Sequence, residues 1–149
     1  MSEFVIRPAH AADETTIKAM IRREHLDPLN VHWQNFLAAE DAVTGRIIGI
    51  GQVKPFRSGR ELGSLVVAPE RRQNGVGAAI ITALIARESG PLLLFCLAFR
   101  EPYYARFGFQ RAGWRDLRGE LRLKYGLGAV FSRLFRQRLI VMQRLPSTS

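Results

Sequence analysis

Two runs with apolar residues on both faces, 61–67 and 92–98, flank a stretch of helical periodicity, and this arrangement restricts the fold more than any other feature of the chain. A strand that is apolar on both sides belongs in the middle of a sheet whose two faces are covered. Between the runs, Val76, Ile80, Ala83 and Leu84 fall on one helical face that starts at Gly75 and reaches Ser89, where Gly90-Pro91 stops it. Strand, helix and strand in so short a span predict a right-handed crossover, with the second strand parallel to the first and beside it.

The other elements build outward from that centre. Residues 4–7 read as a strand closed by Pro8, and 11–23 as an amphipathic helix on which Ile17, Met20 and Ile21 share a face, with Asp13 near its start. Breakers fill 27–33. Residues 36–40 and 46–53 read as a hairpin with its turn through 41–45, and 54–60, which holds Pro55, Ser58 and Gly59, reads as a loop. Further on, 102–107 is predicted as a short helix, 109–115 as a strand, and 139–144 as a last strand paired with it. In between, Leu117, Leu121, Leu123, Leu127, Val130, Phe131, Leu134 and Phe135 alternate irregularly with Arg118, Arg122, Lys124, Arg133 and Arg136. That pattern is a basic amphipathic helix, or a pair of helices broken at Gly126 and Gly128.

With 149 residues, 47% of them hydrophobic, the chain suits one domain spanning 1–149. It shows neither a charged-then-apolar leader nor an apolar stretch of membrane-spanning length, so a soluble, cytoplasmic protein is expected. The one cysteine, Cys96, sits in the apolar run PLLLFCLAF and is expected to pack rather than react. His10, His25 and His32 lack ligand-like spacing, so no metal is expected. Ser64 has no nucleophile-elbow context.

The stretch LGSLVVAPERRQNGVG, residues 62–77, carries the chemistry. An apolar strand empties into a glycine-bearing turn that opens a helix, and such a turn is a phosphate cradle. Gly75 and Gly77 place no side chain between an anion and the backbone, and the first N–H groups of the helix point outward along the positive end of its dipole. Three or four charge-assisted bonds of about 1.5–3 kcal/mol each give an anchor of several kcal/mol before desolvation. The spacing fits neither GxxxxGK[ST] nor GxGxxG with its acidic ribose partner. What stands is Arg72-Gln73-Asn74-Gly75-Val76-Gly77, an [RQ]xxGx[GA] pattern.

That pattern resembles the acetyl-coenzyme A loop of the GNAT family of N-acetyltransferases. A second feature follows in the right order: Pro102-Tyr103-Tyr104-Ala105-Arg106-Phe107-Gly108-Phe109 is similar to the family's FYxxxGF helix and turn. The likeness covers 61–115 well, 3–60 in element order, and 116–137 poorly. It implies an α/β (α+β) acyl-CoA N-acyltransferase fold. The sheet would be mixed and mostly antiparallel, with about six or seven strands, helices on its faces, and a parallel pair splayed around the pantetheine arm.

The resemblance also implies roles. Leu65, Val66 and Val67 would supply a backbone N–H to the thioester carbonyl, and Arg71, Arg72, Gln73, Asn74, Gly75, Val76, Gly77 and Ala78 would hold the diphosphate. Tyr104 matches the family's phenol beside the coenzyme sulfur, a general acid. Glu61 stands where histone-type members carry a glutamate base, although pairing with Arg60 or Arg46 would explain it equally well. Deprotonating a lysine amine at neutral pH costs roughly 4.6 kcal/mol and an α-amine only about 1, so water could serve the latter.

The leading reading is acetyl transfer from acetyl-CoA to a primary amine of a small molecule, amino-acid-like or polyamine, or of a protein, by direct attack in a ternary complex. Its rivals are a non-catalytic acyl-CoA sensor and an RNA- or ribosome-associated protein. The last rests on ten Lys or Arg against Asp116 and Glu120 between 106 and 144, out of a net charge of +9. No stacking surface or nucleic-acid motif supports it. A homodimer stays open. The extension at 116–137 is expected to cover the acceptor cleft, dock on a partner, touch a membrane surface, or pack its leucines on the domain.

Overall fold

The computed structural model describes residues 3–134 and 138–147, with 130–134 as backbone. Phe135 and Arg136 of the amphipathic pattern lie outside the described residues. Seven strands form one sheet in the order β1-β2-β3-β4-β5-β7-β6. The chain divides into two compact units, one of residues 1–54 and 63–87, the other of 55–62 and 88–149.

In the first unit, β1 (Phe4–Pro8) pairs antiparallel with β2 (Phe36–Asp41), which pairs antiparallel with β3 (Ile47–Phe56) through a bulge at Ala39/Glu40. Helix α1 (Glu14–Arg23) follows a 3-10 turn at Ala11–Asp13, so the predicted helix begins one turn late. The cause is Asp13, whose carboxylate accepts the His10 N–H at 2.7 Å and the Arg7 guanidinium at 2.8 Å. Ile17, Met20 and Ile21 of α1 pack with Ala9, Phe36, Ile50 and Val66.

The other face of β3 seats α2 (Val76–Ala86). A Cβ on Gly49 would stand 2.8 Å from Val76 Cγ1, and one on Gly51 2.8 Å from Ile80 Cγ2. The two glycines are the condition for that close approach, and it sets where the N-terminus of α2 lies. Helix α2 ends three residues short of Ser89, with Arg87 as its C-cap.

The second unit contains the start of β4 (Gly59–Val67), β5 (Leu92–Leu97), β6 (Gln110–Ala112) and β7 (Leu139–Arg144). Strands β4 and β5 are parallel, with Glu61 opposite Leu93, as the crossover required, while β7 pairs antiparallel with β5 and β6. The expected loop at 54–60 is a tight hairpin, because β3 runs to Phe56 and β4 starts at Gly59, whose φ of +153° a side chain rarely adopts. Strand β6 is shorter than expected. Phe109 turns into the core at 2% exposure, and after Gly113 a 3-10 turn forms in which Asp116 accepts the Gly113 N–H at 2.7 Å.

Of the two readings of the basic amphipathic segment, one helix or a broken pair, the structure has one helix, α4 (Gly119–Leu134). It runs unbroken through Gly126 and Gly128 because both are packing sites: a Cβ would meet Trp114 at 3.0 Å and Leu139 at 2.8 Å. Leu117 and Leu121 are buried with Leu93 and Val141, whereas Leu123 and Leu127 are exposed.

Candidate functional site

The turn between β4 and α2 opens with a backbone distortion. Ser64, inside β4, has φ +53°, a left-handed conformation that costs a non-glycine residue on the order of 1–3 kcal/mol. It directly precedes Leu65, Val66 and Val67, the residues expected to offer a backbone N–H to a thioester carbonyl. After Val67, the Ala68 N–H donates to the Ile48 carbonyl at 2.8 Å, and Pro69–Arg71 form a 3-10 turn. Gln73 (φ +68°) and the N-cap Gly75 (φ +82°, ψ 4°) then swing the chain into α2.

The first bond of that helix end is Ala79 N–H to the Gly75 carbonyl at 3.0 Å, and the six amides from Gln73 to Ala78 have no acceptor among the described residues. No atom lies within 4 Å of where a Gly75 Cβ would stand. These N–H groups lie just before and at the positive end of an eleven-residue helix, with open space at Gly75, an arrangement whose polarity favours an anion.

The two arginines before the turn are committed to scaffolding. Arg71 Nη1 binds Asp41 Oδ2 at 2.5 Å, and Asp41 is itself buried with its other oxygen accepting the Val43 and Thr44 N–H groups. Arg72 reaches Glu24 at 2.8 Å and the Val67 carbonyl at 3.3 Å, so it ties the turn to the end of α1. Of the three strand residues, Val66 lies in the apolar core and the Leu65 side chain faces Gly51. Of the three, only Val66 is buried, while Leu65 and Val67 are half-buried.

In the second unit, Tyr104 lies on the short helix α3 (Glu101–Ala105), edge-on to Tyr103 and Phe109 with ring centroids 5.2 and 6.3 Å apart. Gly108 ends that segment at φ +87°. The Tyr104 hydroxyl has no hydrogen-bond partner among the described residues. Burial, followed by the neighbouring Cys96 thiol, pushes this phenol up to about 12. The Cys96 thiol is itself raised to about 11, chiefly by burial, and stays protonated. Tyr103 is also raised by burial.

Glu61 is 5% exposed, and both of its oxygens accept Lys124 Nζ, at 2.8 and 3.1 Å. The same ammonium lies 5.7 Å from the ring centres of Phe56 and Phe95, and Tyr125 stacks on Phe95. Neither partner foreseen for Glu61 is used, since Arg60 binds Glu88 at 2.6 and 2.9 Å. A Glu61 base would have to share or release Lys124.

Sequence reasoning also missed Gln52, Lys54 and Ser64. Reading 54–60 as a loop placed Lys54 on the surface, yet it is 2% exposed on β3, and Gln52 beside it is 0% exposed. The visible signal was the alternation through Ile48, Ile50, Gln52 and Lys54, which continues an inward-facing row. Among the described residues, no three His, Cys, Asp or Glu side chains gather as a metal site requires, and no helix is long and apolar enough to cross a membrane.

The strand-turn-helix with its glycine N-cap lies in the first unit, and the tyrosine helix and the parallel β4–β5 pairing lie in the second. The acetyltransferase (GNAT) domain family matches residues 32–111, more than half of the chain, and the chain belongs to that family, whose enzymes use acetyl-CoA as cosubstrate. Over 99% of its length it resembles the N-acetylglutamate synthase from Neisseria gonorrhoeae, solved with coenzyme A and N-acetyl-glutamate, at 23% identity and TM-score 0.77. It spans only 36% of that synthase. Rv2747 from Mycobacterium tuberculosis, solved in complex with CoA, is 18% identical with TM-score 0.75, over 96% of this chain and 99% of that one. The ribosomal-protein-S18-alanine N-acetyltransferase from Escherichia coli is 17% identical with TM-score 0.67, over 99% and 96%. These likenesses speak to fold. No curated protein sequence matches the chain.

Proposed function

We propose that the chain transfers acetyl from acetyl-CoA to a primary amine, as one catalytic domain acting by direct attack in a ternary complex. The observation that carries this reading is the set of six unpaired amides from Gln73 to Ala78 at the mouth of α2. They have the number and polarity to hold a diphosphate, with Gly75 keeping the approach open. Arg71 and Arg72 serve the cradle by fixing its frame, and their remaining positive charge attracts phosphate at longer range.

In the transfer, the amine nitrogen attacks the thioester carbonyl carbon, the C–N bond forms and the C–S bond breaks. The proton lost by the nitrogen passes to Glu61 or water, and the thiolate leaves as coenzyme A after taking a proton. A backbone N–H of 65–67 supports the carbonyl oxygen. Tyr104 donates its hydrogen bond to the leaving sulfur, a role open to it because its hydroxyl is otherwise unused. A sensor without turnover would have no use for a phenol beside the sulfur. Direct attack is favoured over an acyl-cysteine route because Cys96 is buried and its thiol is raised.

The test is calorimetry with acetyl-CoA, followed by an acceptor screen over amino acids, polyamines and peptides that reads free thiol. Binding with turnover supports the reading, and absence of heat with acetyl-CoA ends it.

A further inference from the structure

Helix α4 carries more leucine than the packing of its own unit uses. Leu121 is fully buried, and Gly128 seats the helix on Leu139. Leu123 and Leu127, one turn apart on the far side, are each 65% exposed. The same helical spacing runs on in the sequence through Val130 and Leu134. The outward leucines therefore start a second apolar stripe on a helix whose first stripe is already packed.

The border of that stripe is basic. Trp114 lies against Gly126, where a Cβ would meet its ring at 3.0 Å, and is 42% exposed. The Arg122 guanidinium stands 4.7 Å from the centre of that indole ring. Arg115, Arg118 and Arg122 are exposed, and none of them has an acidic partner among the described residues. Two acids stand nearby in the chain: Asp116, whose carboxylate accepts the Gly113 N–H, and Glu120 in the first turn of α4, where the helix dipole favours it. The unit that holds α4, residues 55–62 and 88–149, contains 13 Lys or Arg against 5 Asp or Glu, so it carries +8 of the chain's +9.

This charge selects the occupant. A second copy would set guanidinium against guanidinium, and RNA gains nothing from protruding leucines. An acidic protein would have to bring a preformed apolar groove as well as its charge. A bilayer with acidic headgroups is anionic outside and apolar just beneath at every point, which matches leucines, an indole and unpaired guanidiniums on one helix. We propose that α4 docks on an anionic lipid bilayer. Leu123 and Leu127 enter the acyl boundary, Trp114 sits at headgroup depth, and Arg115, Arg118 and Arg122 meet lipid phosphates. The helix lies in the plane of the surface, since among the described residues no helix is long and apolar enough to cross a membrane. This docking is independent of acetyl transfer.

The test is flotation of the purified full chain with phosphatidylcholine vesicles, with and without about 30 mol% phosphatidylglycerol, in about 0.1 M salt. The anionic vesicles should bind at least about tenfold more tightly than the neutral ones. Leu123→Ser/Leu127→Ser should weaken that binding about tenfold or more and leave the melting temperature unchanged, because both side chains already face water. Arg118→Gln/Arg122→Gln should weaken it about 30-fold, roughly fivefold per arginine, and flatten its salt dependence. Brominated acyl chains should quench tryptophan emission in the wild type, and Trp114→Phe should lose most of that quenching. The proposal is overturned if neutral and anionic vesicles bind alike or neither binds. It is also overturned if the leucine pair makes no difference, which would reduce the contact to the adhesion of any basic protein. A wild-type dimer that Leu123→Ser/Leu127→Ser turns into a monomer in sedimentation would overturn it too, giving the face to a second copy.

Discussion

Replacing Tyr104 with Phe tests the chemistry at the sulfur. The free phenol has a pKa near 10, and in this fold burial raises it to about 12. An alkyl thiolate accepts a proton at about 8.5, so full transfer from Tyr104 is uphill by roughly 3.5 pH units, or about 5 kcal/mol. An ordinary phenol would face only about 2 kcal/mol. The raised value therefore argues that Tyr104 stabilises the leaving sulfur by donating a hydrogen bond while solvent supplies the proton. A charge-assisted bond of this kind contributes about 1.5–3 kcal/mol, which is a 10- to 150-fold loss of kcat in Tyr104→Phe. KM for acetyl-CoA should hardly change, because the bond strengthens as the thiolate forms. Initial rates by thiol release from pH 7 to 10 should show the same profile shape in both proteins, since a group titrating near 12 adds no limb there. A loss beyond about 10⁴-fold, with a basic limb in the wild type that vanishes in the variant, would refute the hydrogen-bond argument in favour of true acid catalysis. A loss of affinity alone would mean that the ring only packs.

Further outcomes are expected. Gly75→Ala forces a side chain into a left-handed N-cap and should lower stability by about 1 kcal/mol in urea, with no clash; calorimetry should show acetyl-CoA binding at least tenfold weaker, and undiminished affinity would refute the cradle. Lys124→Met removes the ammonium from both oxygens of buried Glu61 and should cost about 1–3 kcal/mol, part of it recovered in the Glu61→Gln/Lys124→Met double variant. If Glu61 is the base, Glu61→Gln should lower kcat about 10²–10⁴-fold, while a loss under about threefold would assign the proton to water. At pH 8, Cys96, raised to about 11, should react with iodoacetamide about 10²-fold more slowly in the native protein than in urea, and comparable rates would refute its burial. The Tyr104 shift also carries a stability sign. Unfolded tyrosine ionises near 10 while the native phenol keeps its proton to about 12, so stability should fall as pH rises between those values, and less so in Tyr104→Phe.

The crossover and the glycine turn within it were legible because they rest on local signals: apolar periods of two and 3.6 residues, a glycine N-cap, and Gly90-Pro91 after the helix. What escaped depends on distant partners. Glu61 and Lys124 are 63 positions apart, and nothing near Glu61 distinguishes that lysine from Arg60. Arg71 and Arg72 looked like phosphate ligands, but whether a guanidinium faces an anion or a carboxylate is settled by Asp41 and Glu24, which other elements bring in. The hairpin at 54–60 was read as a loop because Pro55, Ser58 and Gly59 are breakers by composition. In the fold, two residues complete the turn and Gly59 takes the conformation that closes it. In α4 the glycines that left a break open as an alternative mark close packing.

Strand β3 shows how one short pattern serves two purposes. Gly49 and Gly51 point to one face and admit α2, whose seating fixes the direction of the unpaired amides at its start. Ile50, Gln52 and Lys54 point to the other, first into the apolar core with α1 and then into the polar cluster with Ser64 and Asp27. Because side chains alternate strictly along a strand, a slip of one residue would exchange the two faces, driving Ile50 and Gln52 against α2 and leaving glycines opposite α1. The register shift between Ala39 and Glu40 leaves Ile48 of β3 without a partner, so that Glu40 faces Ile47 while the pairing from Gly49 to Gln52 keeps its phase. The position of the anion turn and the presence of a buried lysine are therefore consequences of a single register choice. A substitution that disturbs this register, such as Gly51→Val, is expected to cost stability and acetyl-CoA affinity together.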